Sequence, residues 1–87
     1  MESATITFVN GEKITVEEGD LMYPISRAKD GKQLFSVMGD LTEISSDHHF
    51  GIVPDLLDLF ASCDFFSADD ACSAVYSASS IVSIKRN

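Results

Sequence analysis

Residues 46–60, Ser-Asp-His-His-Phe-Gly-Ile-Val-Pro-Asp-Leu-Leu-Asp-Leu-Phe, hold both histidines of an 87-residue chain and three carboxylates, with no lysine or arginine. Side chains of these types could ligate a metal, move a proton or form one wall of a binding surface. A closed zinc site takes four ligands, usually supplied in close pairs. The remaining soft donors, Cys63 and Cys72, form no C-x-x-C, and no H-x-x-x-H is present. Asp47-His48-His49 spells a tripeptide shared with a phosphoesterase family, but the further aspartate and histidine motifs of that family are missing. His48 and His49 therefore read as part of an exposed loop before a helix. They could also lend an interface a pH dependence, since histidine titrates near neutrality. Neither a metal nor a cofactor is expected.

Covalent catalysis fares no better. A nucleophile must be held by a base and an orienting group. None of the serines lies in a G-x-S-x-G elbow. Cys63 and Cys72 fall on expected apolar faces, where burial keeps a thiol protonated and inert. The five glycines are isolated turn residues and make no phosphate-cradling loop. The sequence does not read as an enzyme. A zinc-dependent or acid–base hydrolase would need His48, His49 and several carboxylates to converge.

What stands out is charge. The formal net charge is −8, from fourteen acids and six bases. Residues 1–32 carry six acids against four bases, whereas residues 33–84 carry eight acids and no base. Such a balance argues against direct contact with nucleic acid or an anionic membrane, and favours a basic protein partner. The residues expected to meet that partner are Asp47, Asp55, Asp58, Asp64, Asp69 and Asp70. Asp64 falls near the negative end of an expected helix, an unfavourable place for a carboxylate, and such local violations concentrate at functional sites.

In size, charge and compactness the chain resembles the small acidic inhibitors that phages and mobile elements direct against restriction or CRISPR nucleases. That resemblance implies occupation of a basic nucleic-acid groove by charge mimicry. The alternative is a non-catalytic scaffold subunit that self-associates through an edge strand near Pro24, as a homodimer; the acidic module could itself be a monomer or a homodimer.

The elements that must position these residues follow from pattern. Thr-Ile-Thr-Phe-Val-Asn-Gly-Glu-Lys-Ile-Thr-Val-Glu-Glu is a hairpin. A three-residue loop, Val9-Asn10-Gly11, pairs Ile6 with Ile14 and Ala4 with Val16, keeping apolar side chains on one face. Gly11 is then left-handed. Residues 21–25 form a short strand that lies at an edge or ends at Pro24. Residues 27–32 form a basic loop. A strand follows at 33–38, and residues 41–45 read as a short strand or a loop.

Val53-Pro54-Asp55 opens a helix, with proline tolerated in the first turn. Leu56, Leu59, Phe60 and Cys63 share its core-facing stripe, opposite Asp55, Asp58 and Ser62. Ser67-Ala68-Asp69-Asp70 resembles a second helix start. A helix over 68–76 would bury Ala71, Cys72, Val75 and Tyr76. Residues 79–85 make a last strand, with Val82 and Ile84 alternating against Ser83 and Lys85.

The expected fold class is α+β: one domain over 1–87, acidic in 33–84, with a small antiparallel sheet of four to five strands (β-β-β-β-α-(α)-β) and one or two helices packed on one face. The N-terminus lacks a basic region followed by an apolar one, and the two cysteines read as reduced. A cytoplasmic protein is therefore expected.

Overall fold

A computed structural model describes residues 2–69 and 72–87. Its first strand, β1 (Ser3–Phe8), alternates Ala4, Ile6 and Phe8 toward the core with Ser3, Thr5 and Thr7. It pairs with β2 (Lys13–Glu17) in the register set by apolar parity: Ile6 opposes Ile14 and Ala4 opposes Val16. Phe8 N–H donates to the Glu12 carbonyl at 2.8 Å, and Gly11 N–H donates to the Phe8 carbonyl at 2.9 Å. Gly11 has φ +88°, the left-handed geometry that a three-residue loop with a bulge asks of glycine.

The next strand corrects an expectation. β3 (Leu21–Asp30) does not stop at Pro24; it runs for ten residues and lies inside its sheet. On one side it pairs with β4 (Gln33–Met38) through Ile25–Asp30, and with β5 (Thr42–Glu43) through Leu21 and Met22. Pro24 falls between those two ladders. On that side the Pro24 carbonyl accepts from Gly39 N–H at 2.7 Å, and the ladder passes from β4 to β5 at the return bond that Pro24 cannot donate. The expected basic loop is instead the end of β3, Arg27 to Asp30, and the two-residue hairpin turn Gly31-Lys32, with Gly31 at φ +61°.

α1 (Val53–Ala61) forms as its pattern requires, with proline in the first turn and Asp55 near the positive helix end. Leu56 and Leu59 are buried, and Phe60 and Cys63 pack against the same core.

The second helix does not form. Residues 65–67 are a strand, β6 (Phe65–Ser67), which pairs with β3 and with β7 (Val75–Ser77). Two causes act against a helix. Ser67 and Asp69 bond the local backbone rather than capping: Ser67 Oγ donates to the Asp69 carbonyl at 2.9 Å, and Ser73 N–H donates to Asp69 Oδ1 at 3.0 Å. Phe66 and Tyr76 also face each other across the β6–β7 ladder with ring centroids 5.5 Å apart. Cys72 is half-buried and Val75 is exposed; Ala71 and Asp70 lie outside the described residues.

A 3-10 turn, Ala78–Ser80, leads to β8 (Ile81–Arg86), which pairs with β1. The alternation expected for β8 slips by one residue. The register shifts between Thr7 and Phe8, so Phe8 opposes Ile81 and Thr7 opposes Ser83. Val82 is the extra residue of this bulge and is 65% exposed, while Ile81 and Ile84 pack on the core.

The architecture is thus α+β, with two antiparallel sheets in place of one. Their orders are β2-β1-β8 and β4-β3-β6-β7, the latter with β5 beside β3. Between them and α1 lies one core, built from Ala4, Ile6, Phe8, Val16, Met22, Ile44, Ile52, Leu56, Leu59 and Phe66. Phe66 lies at the centre of an aromatic cluster, with ring centroids 4.7 Å from Phe60, 5.5 Å from Tyr76 and 6.3 Å from Phe8, and Phe8 and Tyr76 stack at 4.9 Å. No helix among the described residues is long and apolar enough to cross a membrane.

Candidate binding surface

Asp47 organises the histidine loop. Its Oδ1 accepts from the backbone N–H of His49 at 2.8 Å and of Phe50 at 3.0 Å. These two donors hold its carboxyl below the ordinary aspartate value. Asp47 and Gly51 also exchange two backbone hydrogen bonds, which close a tight loop with Gly51 at φ +63°. A Cβ on Gly51 would collide with the Glu2 carboxylate and the Arg86 guanidinium.

Those two side chains form an ion pair at 2.7 Å, and Arg86 Nη1 donates to the His49 carbonyl at 3.0 Å. The chain ends are thereby tied to the histidine loop. The pairing lowers the Glu2 pKa and raises that of Arg86. His48 and His49 are exposed, with ring centroids 4.9 Å apart. Among the described residues, no three histidine, cysteine or acidic side chains converge as a metal site would need.

The other acids lie on different elements. Asp55 Oδ2 accepts from Ser45 N–H at 2.8 Å and from its hydroxyl at 3.3 Å, fastening α1 to the segment after β5. Asp58 is exposed on the same helix. Asp64 lies past the helix end and accepts from the backbone N–H of Arg27 at 2.7 Å. The unfavourable helix-end position thus has a structural cause: Asp64 satisfies a β3 donor that β6 does not reach. Asp69 bonds the Ser73 amide and hydroxyl in the β6–β7 turn. Asp70 lies outside the described residues. The partners of Asp47, Asp55 and Asp64 are neutral donors, so each carboxylate is held in place without losing its charge.

Beside Asp64 is an open cleft of about 490 Å³, lined by Arg27, Phe60, Cys63, Phe65 and Ser77 among others. The Arg27 guanidinium lies 4.9 Å from the Phe65 ring centroid. Burial, reinforced by the adjacent Asp64 charge, pushes the Cys63 thiol up.

The sequence pattern did not single out the β4 surface. All six residues of β4 are exposed, and Leu34, Phe35, Val37 and Met38 are each between 43% and 67% exposed. Leu34, Ser36 and Met38 face one side of the hairpin, and Gln33, Phe35 and Val37 the other, so neither face is polar. β4 is an edge strand with no charged residue or proline, two usual means of guarding an edge.

The phase of its ladder is set by one bond: Gly39 N–H donates to the Pro24 carbonyl at 2.7 Å. Antiparallel bonding alternates along a strand. Residues 33, 35 and 37 therefore direct their backbone groups at β3, and Leu34, Ser36 and Met38 direct theirs outward. The uncharged composition of Gln-Leu-Phe-Ser-Val-Met was a usable signal; its significance depended on β4 being at an edge. Compared with known proteins, the chain matches no family model, no curated protein sequence and no solved structure.

Proposed function

We propose that the chain is a non-catalytic protein-binding module whose acidic surface engages a basic partner, in the sharper form an inhibitor that occupies a nucleic-acid site by charge mimicry. The observation that supports this role is the way the acids are held. Asp47, Asp55 and Asp64 are fixed by backbone amides and a hydroxyl instead of by lysine or arginine. Fixed, uncompensated charges lose little entropy on meeting a complementary surface, and a field of one sign speeds encounter by about 10–10³-fold. The partner-binding residues in this role are Asp47, Asp55, Asp58, Asp64 and Asp69, with Asp70 beside them in sequence.

The test is capture of partners on the immobilised chain at low and high salt, with and without duplex DNA as competitor. Retention of a nucleic-acid-binding protein at low salt, its displacement by DNA and its loss on Asp55→Asn/Asp58→Asn would support mimicry. A partner indifferent to salt, to DNA and to that double substitution would overturn it.

A further inference from the structure

The free edge of β4 carries an inference separate from the acidic surface. We propose that it pairs with β4 of a second copy, antiparallel about a two-fold axis at Ser36, joining two sheets into one.

The occupant follows from register. A two-fold axis normal to an antiparallel pair passes through a directly opposed pair of identical residues, since hydrogen-bonded and non-hydrogen-bonded pairs alternate. Centring on Ser36 sets Leu34 opposite Met38 of the second copy and Phe35 opposite its Val37. Each match occurs twice. The same register places Lys32, in the hairpin turn, opposite Asp40 just past the partner strand. All apolar positions of β4 then meet apolar positions, and its nearest flanking charges meet opposite charges. Moving the axis to Phe35 sets Gln33 against Val37 and Asp30 against Asp40. Moving it to Val37 sets Leu34 against Asp40. Neither alternative matches apolar and charged positions together.

The backbone agrees. Outward-facing amides and carbonyls belong to Leu34, Ser36 and Met38, as the Gly39–Pro24 bond requires. That set is symmetric about Ser36, so every outward group finds a complementary one on the second copy. Charge distribution favours the same contact. The β3–β4 hairpin carries three of the six bases and one of the fourteen acids, so pairing through it keeps the most acidic parts of the two copies apart.

The experiment is crosslinking of full-length variants, read beside the concentration dependence of mass in sedimentation equilibrium. Ser36→Cys places two thiols opposite each other at a Cα separation of about 5.5 Å, within disulfide reach. Leu34→Cys places its two thiols about four residues out of register, roughly 13 Å apart along the strand. Expected are a dimer mass for the native chain, a disulfide-linked dimer from Ser36→Cys under mild oxidation and little from Leu34→Cys. Ser36→Glu should oppose two like charges and return the mass to monomer, with an unchanged circular dichroism spectrum.

Two reversed charges give a second readout. Lys32→Asp and Asp40→Lys should each weaken the dimer, and the two together should restore it. A native chain that is monomeric at every concentration would overturn the proposal. So would a dimer that survives Ser36→Glu, or equal crosslinking of the two cysteine variants; either would place the contact, or another occupant, elsewhere.

Discussion

The backbone N–H of Arg27 donates to Asp64 Oδ2 at 2.7 Å, linking β3 to the turn between α1 and β6. One position beyond β6, the sheet has no strand to receive that donor, and a side chain supplies the acceptor. Asp64 N–H in turn donates to the Ile25 carbonyl at 3.0 Å. The residue continues the ladder with its own backbone and then with its carboxylate.

Asp64→Ala should therefore lower stability by roughly 0.5–1.5 kcal/mol, the net value of an ordinary intramolecular hydrogen bond. Asp64→Asn keeps a carbonyl acceptor and should recover most of the loss. Urea unfolding midpoints of the two variants, at an unchanged slope, would check this. An Asn variant as unstable as the Ala variant would show that the charge, not the acceptor, holds the turn.

A side chain at Gly51 should be destabilising. Its positive φ costs an L-residue about 1–2 kcal/mol, and a Cβ would also meet the Glu2 carboxylate and Arg86. Gly51→Ala is expected to lower the melting temperature. Adding Glu2→Ala should recover only part of the loss, because it relieves the collision and leaves the backbone strain. Full recovery would mean that φ contributes little.

Acid should loosen the histidine loop. The His49 and Phe50 amides favour ionised Asp47 and depress its folded-state pKa. The sign follows by linkage: the stabilisation is fully present above the unfolded value and is lost as pH falls through the lower folded value. Glu2 behaves alike through Arg86. The His49 and Phe50 amide resonances should shift with an Asp47 midpoint below that of a free aspartate. A midpoint at or above the free value would contradict the amide bonding. Asp47→Asn should remove the titration.

Cys63 should react slowly. Burial and the neighbouring Asp64 charge raise its thiol pKa, so little thiolate forms at neutral pH. Alkylation of the Cys72→Ser variant, which leaves Cys63 as its one thiol, should accelerate at a higher pH than alkylation of a free cysteine peptide. Rapid modification at neutral pH would show that the thiol is not shielded.

Sequence alone determined what depends on neighbours along the chain. The β1–β2 register follows from the parity of Ala4, Ile6, Ile14 and Val16, because a one-residue slip would turn the apolar set outward. The helix at 53–61 follows from Pro54, Asp55 and the spacing of Leu56 and Leu59. The acidic excess of 33–84 is a matter of composition.

Only the tertiary structure decided the rest, because the deciding partners lie far away in sequence. Pro24 stays inside a sheet since it falls where the ladder passes from β4 to β5. Residues 65–67 and 75–77 become strands since Phe66 and Tyr76 join an aromatic cluster with Phe8. Val82 points outward since β1 and β8 shift register at a bulge. Asp64 is placed by Arg27, 37 residues earlier. The exposed edge of β4 is of the same kind: strand-forming character is local, but whether a strand has one neighbour or two is settled by the order of the whole sheet.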